Sequence, residues 1–395
     1  MKEIGKVKNR RIKEDIIEVK DALFKNLPVD SLIKVAILTI IAGYLKTNEI
    51  FLNSKGFPNI KSLSGFLSFL LNDRNFAPIK YKIRISNYIL KTSEKEKRVI
   101  LGHDYNSVIL FSGGFDSSST LLYALDHGWN PLLLWVGFGQ KNEGVEEITA
   151  KKVAKKFNRR LLVIKLGLKN YIEKGWKEWS YIVPGRNFMF AVFGAAVLAQ
   201  SKHRKNTIMM GVHEEEFYHS DPGTDKSPHF FRYCSKLFSE FYQKNIKLIT
   251  PLKFVSKTEL AAHWKNRWSK KYNLNPHETV SCYYGTNCGV CNSCFKRSIS
   301  FVAAGIGLDK DIKNNPFQKD ETFIMSYIKR CFSSATYKTQ FSKKRAVETL
   351  LAYKKSIHFL PKKVKKIIAR LPLCLQKEVS KKKRELKSFI WEPKR

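Results

Sequence analysis

Between Asn106 and Thr120 a short apolar run, SVILF, passes directly into SGGFDSSST and then into a helical pattern. A strand that feeds a glycine turn and a helix start admits few architectures, because such a turn belongs at the C-terminal edge of an open sheet. Two glycines let the backbone approach a ligand closely. The first N–H groups of the helix point outward, and the helix dipole favours an anion there. Ser112, Gly113, Gly114, Phe115, Asp116 and Ser117 thus form a candidate phosphate loop, with Ser112 and Ser117 as hydroxyl donors. Asp116 would be repelled by phosphate unless it binds Mg2+ or caps the helix, and its position fits either role. The G-x-x-x-x-G-K-[ST] loop of kinases and GTPases occurs nowhere in the chain.

Beyond the loop, Leu-rich or β-branched runs alternate with amphipathic helical stretches: PLLLWVGF, a helix near Glu146 to Phe157, LLVIKL, and later NTIMMGV. This alternation predicts an α/β fold whose parallel sheet carries helices on both faces. The 395 residues suggest two or three units at roughly 100 to 200 residues per domain. Residues 1–102 read as a helical accessory region, 103–307 as the α/β domain, and 308–395 as a basic, mostly helical region.

Lys and Arg number 72 against 34 Asp and Glu, a net charge of +38, which excludes an acidic disordered chain. The excess points to an acidic partner: nucleic acid, a nucleotide or an anionic membrane surface. It reads equally as the composition of a Lys-rich chain, since lysine is spread throughout. From Pro361 to Arg395 there are 13 Lys and Arg against 3 Asp and Glu, on what is either an RNA contact or a solvated tail. The longest apolar stretches, VAILTIIAGYL and FMFAVFGAAVLAQ, fall short of the about 20 residues that span a bilayer. With a charged N-terminus in place of a signal peptide, a cytoplasmic protein without a membrane partner is expected.

Cys282, Cys288, Cys291 and Cys294 are spaced C-x5-C-x2-C-x2-C, with Gly285 and Gly289 allowing the loop to fold back. Four thiolates so close in sequence suit a closed, structural Zn2+ site. An iron–sulfur cluster draws on the same ligands and is the rival reading. Cys234, Cys331 and Cys374 are isolated.

The loop resembles the SGGxDS loop of the PP-loop ATP pyrophosphatases, which grip the pyrophosphate of ATP while an oxygen nucleophile attacks the α-phosphorus. Taken with FGQ (Phe138 to Gln140), VPGRN (Val183 to Asn187), GVHEEEF (Gly211 to Phe217), PLKFVSKTEL (Pro251 to Leu260) and ETVSCYYGTNCGVCNSC (Glu278 to Cys294), it makes the segment from Asn106 to Gly307 similar to the 7-cyano-7-deazaguanine synthase family.

That resemblance implies a Rossmann-like PP-loop fold and a reaction in which ATP adenylates the carboxylate of 7-carboxy-7-deazaguanine. Ammonia then displaces AMP, and a second activation dehydrates the amide to the nitrile. A carboxylate is a poor acyl donor, which is the reason for making AMP the leaving group. Asp116, Arg186 and Lys257 are the candidate catalytic residues, the two cations stabilising the departing pyrophosphate. Lys257 follows Ser256 in a capping box, Ser256-Lys-Thr-Glu259. Gln140, Asn187, Glu214 and Glu216 are the candidate substrate contacts, the acidic pair as acceptors for the guanine-like N–H groups. His213, a lone histidine beside a strand, reads as structural. A homodimer is the oligomer that the resemblance implies.

The chain also departs from the family's pattern. It carries long extensions at both ends, and YHSDPGTDKSPHF (Tyr218 to Phe230) replaces the expected segment, with Asp221 or Asp225 as substitutes. Two further readings follow: a conjugating enzyme that passes the activated deazaguanine to a protein or tRNA amine, as in relatives from anti-phage defence, or a nucleic-acid-binding protein on an inactive PP-loop fold.

Overall fold

The structure is a computed structural model and describes residues 49–53, 82–86, 105–165, 185–218, 225–318, 322, 324–326, 328 and 343–392. Strands β1 (Glu49–Asn53) and β2 (Lys82–Ser86) pair in parallel, Glu49 opposite Lys82 and Asn53 opposite Ser86. The helical reading of residues 1–102 therefore meets a strand pair. EIFLN and KIRIS are short, β-branched or aromatic runs, and in KIRIS the apolar residues recur at every second position, the period of a strand. The rest of that region, VAILTIIAGYL included, lies outside the described residues.

The main sheet has five parallel strands: β3 (Ser107–Leu110), β4 (Leu132–Gly137), β5 (Leu161–Lys165), β6 (Lys205–Met209) and β7 (Asn245–Ile249), in the order β5-β4-β3-β6-β7. Every residue of β3 and β4 is buried, whereas β5 and β7 at the edges alternate buried with more exposed positions. Continuous apolar runs mark strands covered on both faces, and alternation marks the edges. The chain leaves β3 towards β4 on one side, and β6 later pairs with β3 on the other. This reversal of strand order opens a crevice at the C-terminal ends of β3 and β6, where ligands bind in open α/β sheets.

Among the described residues, five helices cover this part of the chain: α1 (Phe115–Asp126), α2 (Glu143–Lys156), α3 (Arg186–Ala199), α4 (Glu214–Tyr218) and α5 (Pro228–Tyr242). The apolar run FMFAVFGAAVLA is α3, buried from Asn187 to Met189 and from Ala191 to Leu198. It starts at Gly185, whose φ of 70° only glycine adopts easily. Next comes α6 (Lys257–His263), opened by the expected capping box: Ser256 Oγ accepts from Glu259 N and the Glu259 carboxylate accepts from Ser256 N, each at 3.1 Å. A π-helical turn, Trp264–Trp268, carries α6 on towards Tyr272.

The cysteine loop precedes α7 (Asn292–Ala304), and α8 (Lys343–Lys355), α9 (Lys362–Ala369) and α10 (Leu373–Lys387) follow. Helix α8 packs on α7 and α10, and α10 also reaches α6. One apolar cluster runs from Ile109 and Phe115 in the sheet domain to Leu350, Val379 and Trp391. The Trp391 N–H donates to His263 Nδ1 at 2.9 Å, and its ring meets Trp268 edge-on. The inner side of the basic tail is thus core, while Lys377, Lys381, Lys383, Arg384 and Lys387 remain exposed. Among the described residues no helix is long and apolar enough to cross a membrane.

Candidate active site

The phosphate loop closes on itself through its two serines. Ser117 Oγ donates to the Gly114 carbonyl at 3.2 Å and lies 3.2 Å from Ser112 Oγ, which accepts from Gly114 N. Gly113 has φ 72°, and a β-carbon there would stand 2.7 Å from the backbone nitrogen of Ala150 in α2. Gly114 is as confined: a β-carbon would meet the Val280 carbonyl at 2.9 Å. Both glycines are therefore required by the close approach of neighbouring backbone, and Gly113 by its left-handed turn conformation as well.

Asp116, on the first turn of α1, meets Lys257 at the start of α6: Nζ to Oδ2 is 2.8 Å. Their side chains are 27% and 10% exposed, so this ion pair stands in the wall of a cleft rather than in bulk solvent. The other oxygen, Asp116 Oδ1, is buried without a hydrogen-bond partner. Gly211, at the end of β6, lets α1 approach, since a β-carbon there would be 2.7 Å from the Asp116 carbonyl.

These groups line a cavity of about 260 Å3 at the crevice between β3 and β6. Arg186, Asn187, Gln140, Asn142 and Glu146 line it, as do His213, Glu216, Lys226, Tyr283 and Lys296. Lys226 Nζ lies 2.8 Å from Glu216 Oε1. Burial opposes the charge of Glu216, yet Lys226, His213, Lys296 and Lys257 together hold its carboxyl well below the usual range. His213 is pinched between Glu215, at 2.5 Å from Nδ1, and Glu216, at 3.8 Å from Nε2. Burial works against its protonation, but those two carboxylates raise its pKa. Glu146 behaves in the opposite sense: burial pushes its carboxyl up to about 7 against the pull of Arg186, Gln140 and Asn142.

The loop that carries Val280 is fixed from behind by Arg297. Its guanidinium is buried and holds Asp309 in a two-bond fork at 2.8 and 3.0 Å, Thr279 Oγ1 at 2.8 Å and the Pro276 carbonyl at 2.9 Å. Val280 N then donates to Gly113 O, so this network reaches the phosphate loop.

The four clustered cysteines are buried, with all Sγ atoms within 4.8 Å of one another. Backbone N–H groups of Tyr284 and Cys288 point at Cys282 Sγ, and those of Cys291 and Cys294 at Cys288 and Cys291 Sγ, each at 3.4 Å. Four sulfurs about 2.3 Å from a central ion would lie about 3.8 Å apart, close to the 4.0 Å between Cys288 and Cys294. The donors, their burial and their N–H partners fit a tetrahedral metal ion. Gly289, with φ 73°, passes so near the Asn314 carbonyl that no side chain fits.

The residues named from sequence do not all share this place. The loop residues Ser112, Gly114, Phe115, Asp116 and Ser117 line the cavity with Lys257, Arg186, Gln140, Asn187 and Glu216. Gly113 shapes the turn behind them. Glu214 points elsewhere, to Lys344 of α8 at 2.6 Å. Asp225 lies beside Asn187, and its pKa is raised by burial; Asp221 falls outside the described residues. Sequence reasoning missed Asn142, Glu146, Lys226 and Lys296. For Glu146 one signal was available: it lies one helical turn beyond the Asn142 that opens α2, directly after FGQ.

A parallel sheet with a glycine phosphate loop at its switch point, and an Asp–Lys pair beside that loop, defines a PP-loop nucleotide-binding fold. The family profile described as queuosine biosynthesis protein QueC matches residues 106–305, half of this chain. The chain belongs to that family. A 7-cyano-7-deazaguanine synthase from Acetivibrio thermocellus is 31% identical over 222 residues, covering 51% of this chain and 94% of the relative. Synthases of the same name from Picrophilus torridus (26% identical, 56% and 96% covered) and Staphylococcus epidermidis (28% identical, 49% and 90% covered) are similar.

Proposed function

We propose that the protein activates the carboxylate of 7-carboxy-7-deazaguanine with ATP and transfers the acyl group to a nitrogen nucleophile, ammonia first, to give 7-cyano-7-deazaguanine. The observation that carries this reading is the Lys257–Asp116 pair at 2.8 Å beside an intact SGGFDS loop, within a segment whose relatives bear that name. The loop's N–H groups and Lys257 receive the pyrophosphate, and Arg186 across the cavity adds the second positive charge that its departure requires. Asp116 Oδ1, buried and unpartnered, supports Mg2+ as the ion brought in with ATP. The cysteine site is read as Zn2+, holding the loop between Pro276 and α7 in place without taking part in the chemistry.

Mass spectrometry after incubation with ATP, Mg2+, 7-carboxy-7-deazaguanine and ammonium tests this, with Asp116→Ala as control. AMP, pyrophosphate and the nitrile are expected. AMP without the nitrile would move the reading to a conjugating enzyme with a protein or tRNA acceptor, as in a defence system. The exposed cations of α9 and α10 favour that alternative. No AMP at all would refute both and leave the nucleic-acid-binding reading. The three-part division at 102 and 307 and a homodimer complete the proposal, the latter measurable by light scattering.

A further inference from the structure

We infer that Glu146 is the proton acceptor for the nitrogen nucleophile; the inference rests on the reaction proposed above. Three carboxylates line the cavity among the described residues: Asp116, Glu216 and Glu146. The first two each hold a lysine ammonium at 2.8 Å, so a proton arriving on either would weaken an ion pair that serves the phosphates or the cavity wall. Glu146 is held by neutral amides instead. Asn142 Nδ2 donates to its Oε1 at 2.8 Å and Gln140 Nε2 to its Oε2 at 3.3 Å, so each oxygen keeps a lone pair.

Both amides are themselves locked. Gln140 Oε1 accepts from Phe138 N at 2.9 Å, which turns its Nε2 towards Glu146, and Asn142 Nδ2 also donates to the Cys282 carbonyl at 3.3 Å. The carboxylate is therefore fixed in orientation before any substrate arrives. The charges acting on it are Arg186, at the start of α3, and Glu143, on its own helix. Across the cavity stand the Asp116–Lys257 and Glu216–Lys226 pairs, His213 and Lys296. With a pKa of about 7, Glu146 is poised between its two protonation states at neutral pH, which is where an acceptor works best.

The step balances as follows. The amine lone pair forms a C–N bond at the acyl carbon of the adenylate, the C–O bond to phosphate breaks, AMP leaves with that electron pair, and one N–H proton passes to a Glu146 oxygen. The products are the amide, AMP and a protonated Glu146, which returns its proton to water.

Glu146→Gln and Glu146→Asp test this through three readouts. One is ATP–pyrophosphate exchange dependent on 7-carboxy-7-deazaguanine. The others are product from ammonium between pH 6 and 9, at constant free ammonia, and capture of the acyl group by hydroxylamine, which attacks without a base. For Glu146→Gln, ammonia-dependent product should fall about 100-fold, with exchange and hydroxylamine capture falling at least tenfold less. The wild type should lose ammonia-dependent product below about pH 7, a limb absent in the variant, and Glu146→Asp should recover part of the rate. A parallel fall in all three readouts, or unchanged ammonia-dependent product, would overturn the inference. Absence of exchange in the wild type would refute the proposed reaction, and this step with it.

Discussion

Ser256 donates its hydroxyl to Glu348 at 2.6 Å, joining the residue that caps α6 to a helix 92 positions further along the chain. Around that bond, Glu259 meets Lys344 at 2.5 Å and Lys382 at 2.7 Å, and Lys344 also holds Glu214 of α4. The C-terminal helices thus grip the two segments that present Lys257 and Glu216 to the cavity. Lys382 is only 8% exposed and Glu348 fully buried. Removing one partner of such a group leaves a buried charge unbalanced, at a cost of about 3–5 kcal/mol. Lys382→Met should lower stability by that order in urea unfolding, and Lys382→Met with Glu348→Gln should recover part of the loss.

Lys257→Met should abolish activation rather than folding. Its ammonium is the cation that pairs with Asp116, and losing one charge-stabilising donor typically costs about 100- to 1,000-fold in rate. ATP–pyrophosphate exchange should fall by that factor in protein that circular dichroism shows to be folded.

Gly211→Ala is a sterically defined lesion. The added carbon would sit 2.7 Å from the Asp116 carbonyl, and backbone must move to admit it. Overpacking of this kind costs roughly 1–3 kcal/mol. If the displaced part is the first turn of α1, ATP affinity measured by calorimetry should drop about tenfold or more.

The cysteine site is checked by metal content. Cys288→Ser should eliminate bound metal in elemental analysis, and Cys374→Ser, at an exposed and isolated cysteine, should leave it unchanged. A chelator strong enough to strip the metal should make the segment from Pro276 to Asn292 susceptible to protease.

Stability should also depend on pH through His263. Burial, with Arg267, lowers its pKa from 6.5 to about 4, so the folded protein holds it neutral while the unfolded chain protonates near 6.5. The associated stability, on the order of 3 kcal/mol, is present above pH 6.5 and lost as pH falls towards 4. His263→Gln should flatten the slope of melting temperature against pH between 4 and 6.5.

The parts legible in the sequence were those that local chemistry dictates. SVILF-SGGFDSSST specified strand, turn and helix start, because glycine and a free helix N-terminus leave little else to build. The spacing of Cys282 to Cys294 specified one site, because four sulfurs can converge only if the loop folds back at Gly285 and Gly289. What stayed hidden depends on distant packing. Glu214 and Glu216 look equivalent in GVHEEEF, yet their directions differ because α8 supplies Lys344 to one and the start of α5 brings Lys226 to the other. Arg297 looked like any basic helix residue, and only the folded chain shows it holding Asp309, Thr279 and Pro276 together.

The bond from Trp391 to His263 and the Lys382–Glu259 pair bear on the order of events at the ribosome. The sheet and the phosphate loop emerge from the exit tunnel long before residues 382 and 391 are synthesised. Until then the helix that bears Lys257 lacks the partners that fix it, so a nascent chain would expose the apolar backs of α6 and α7. A chaperone that shields those surfaces until residues 382–391 are made would raise the yield of folded protein, and synonymous codons that slow the approach to them would lower it.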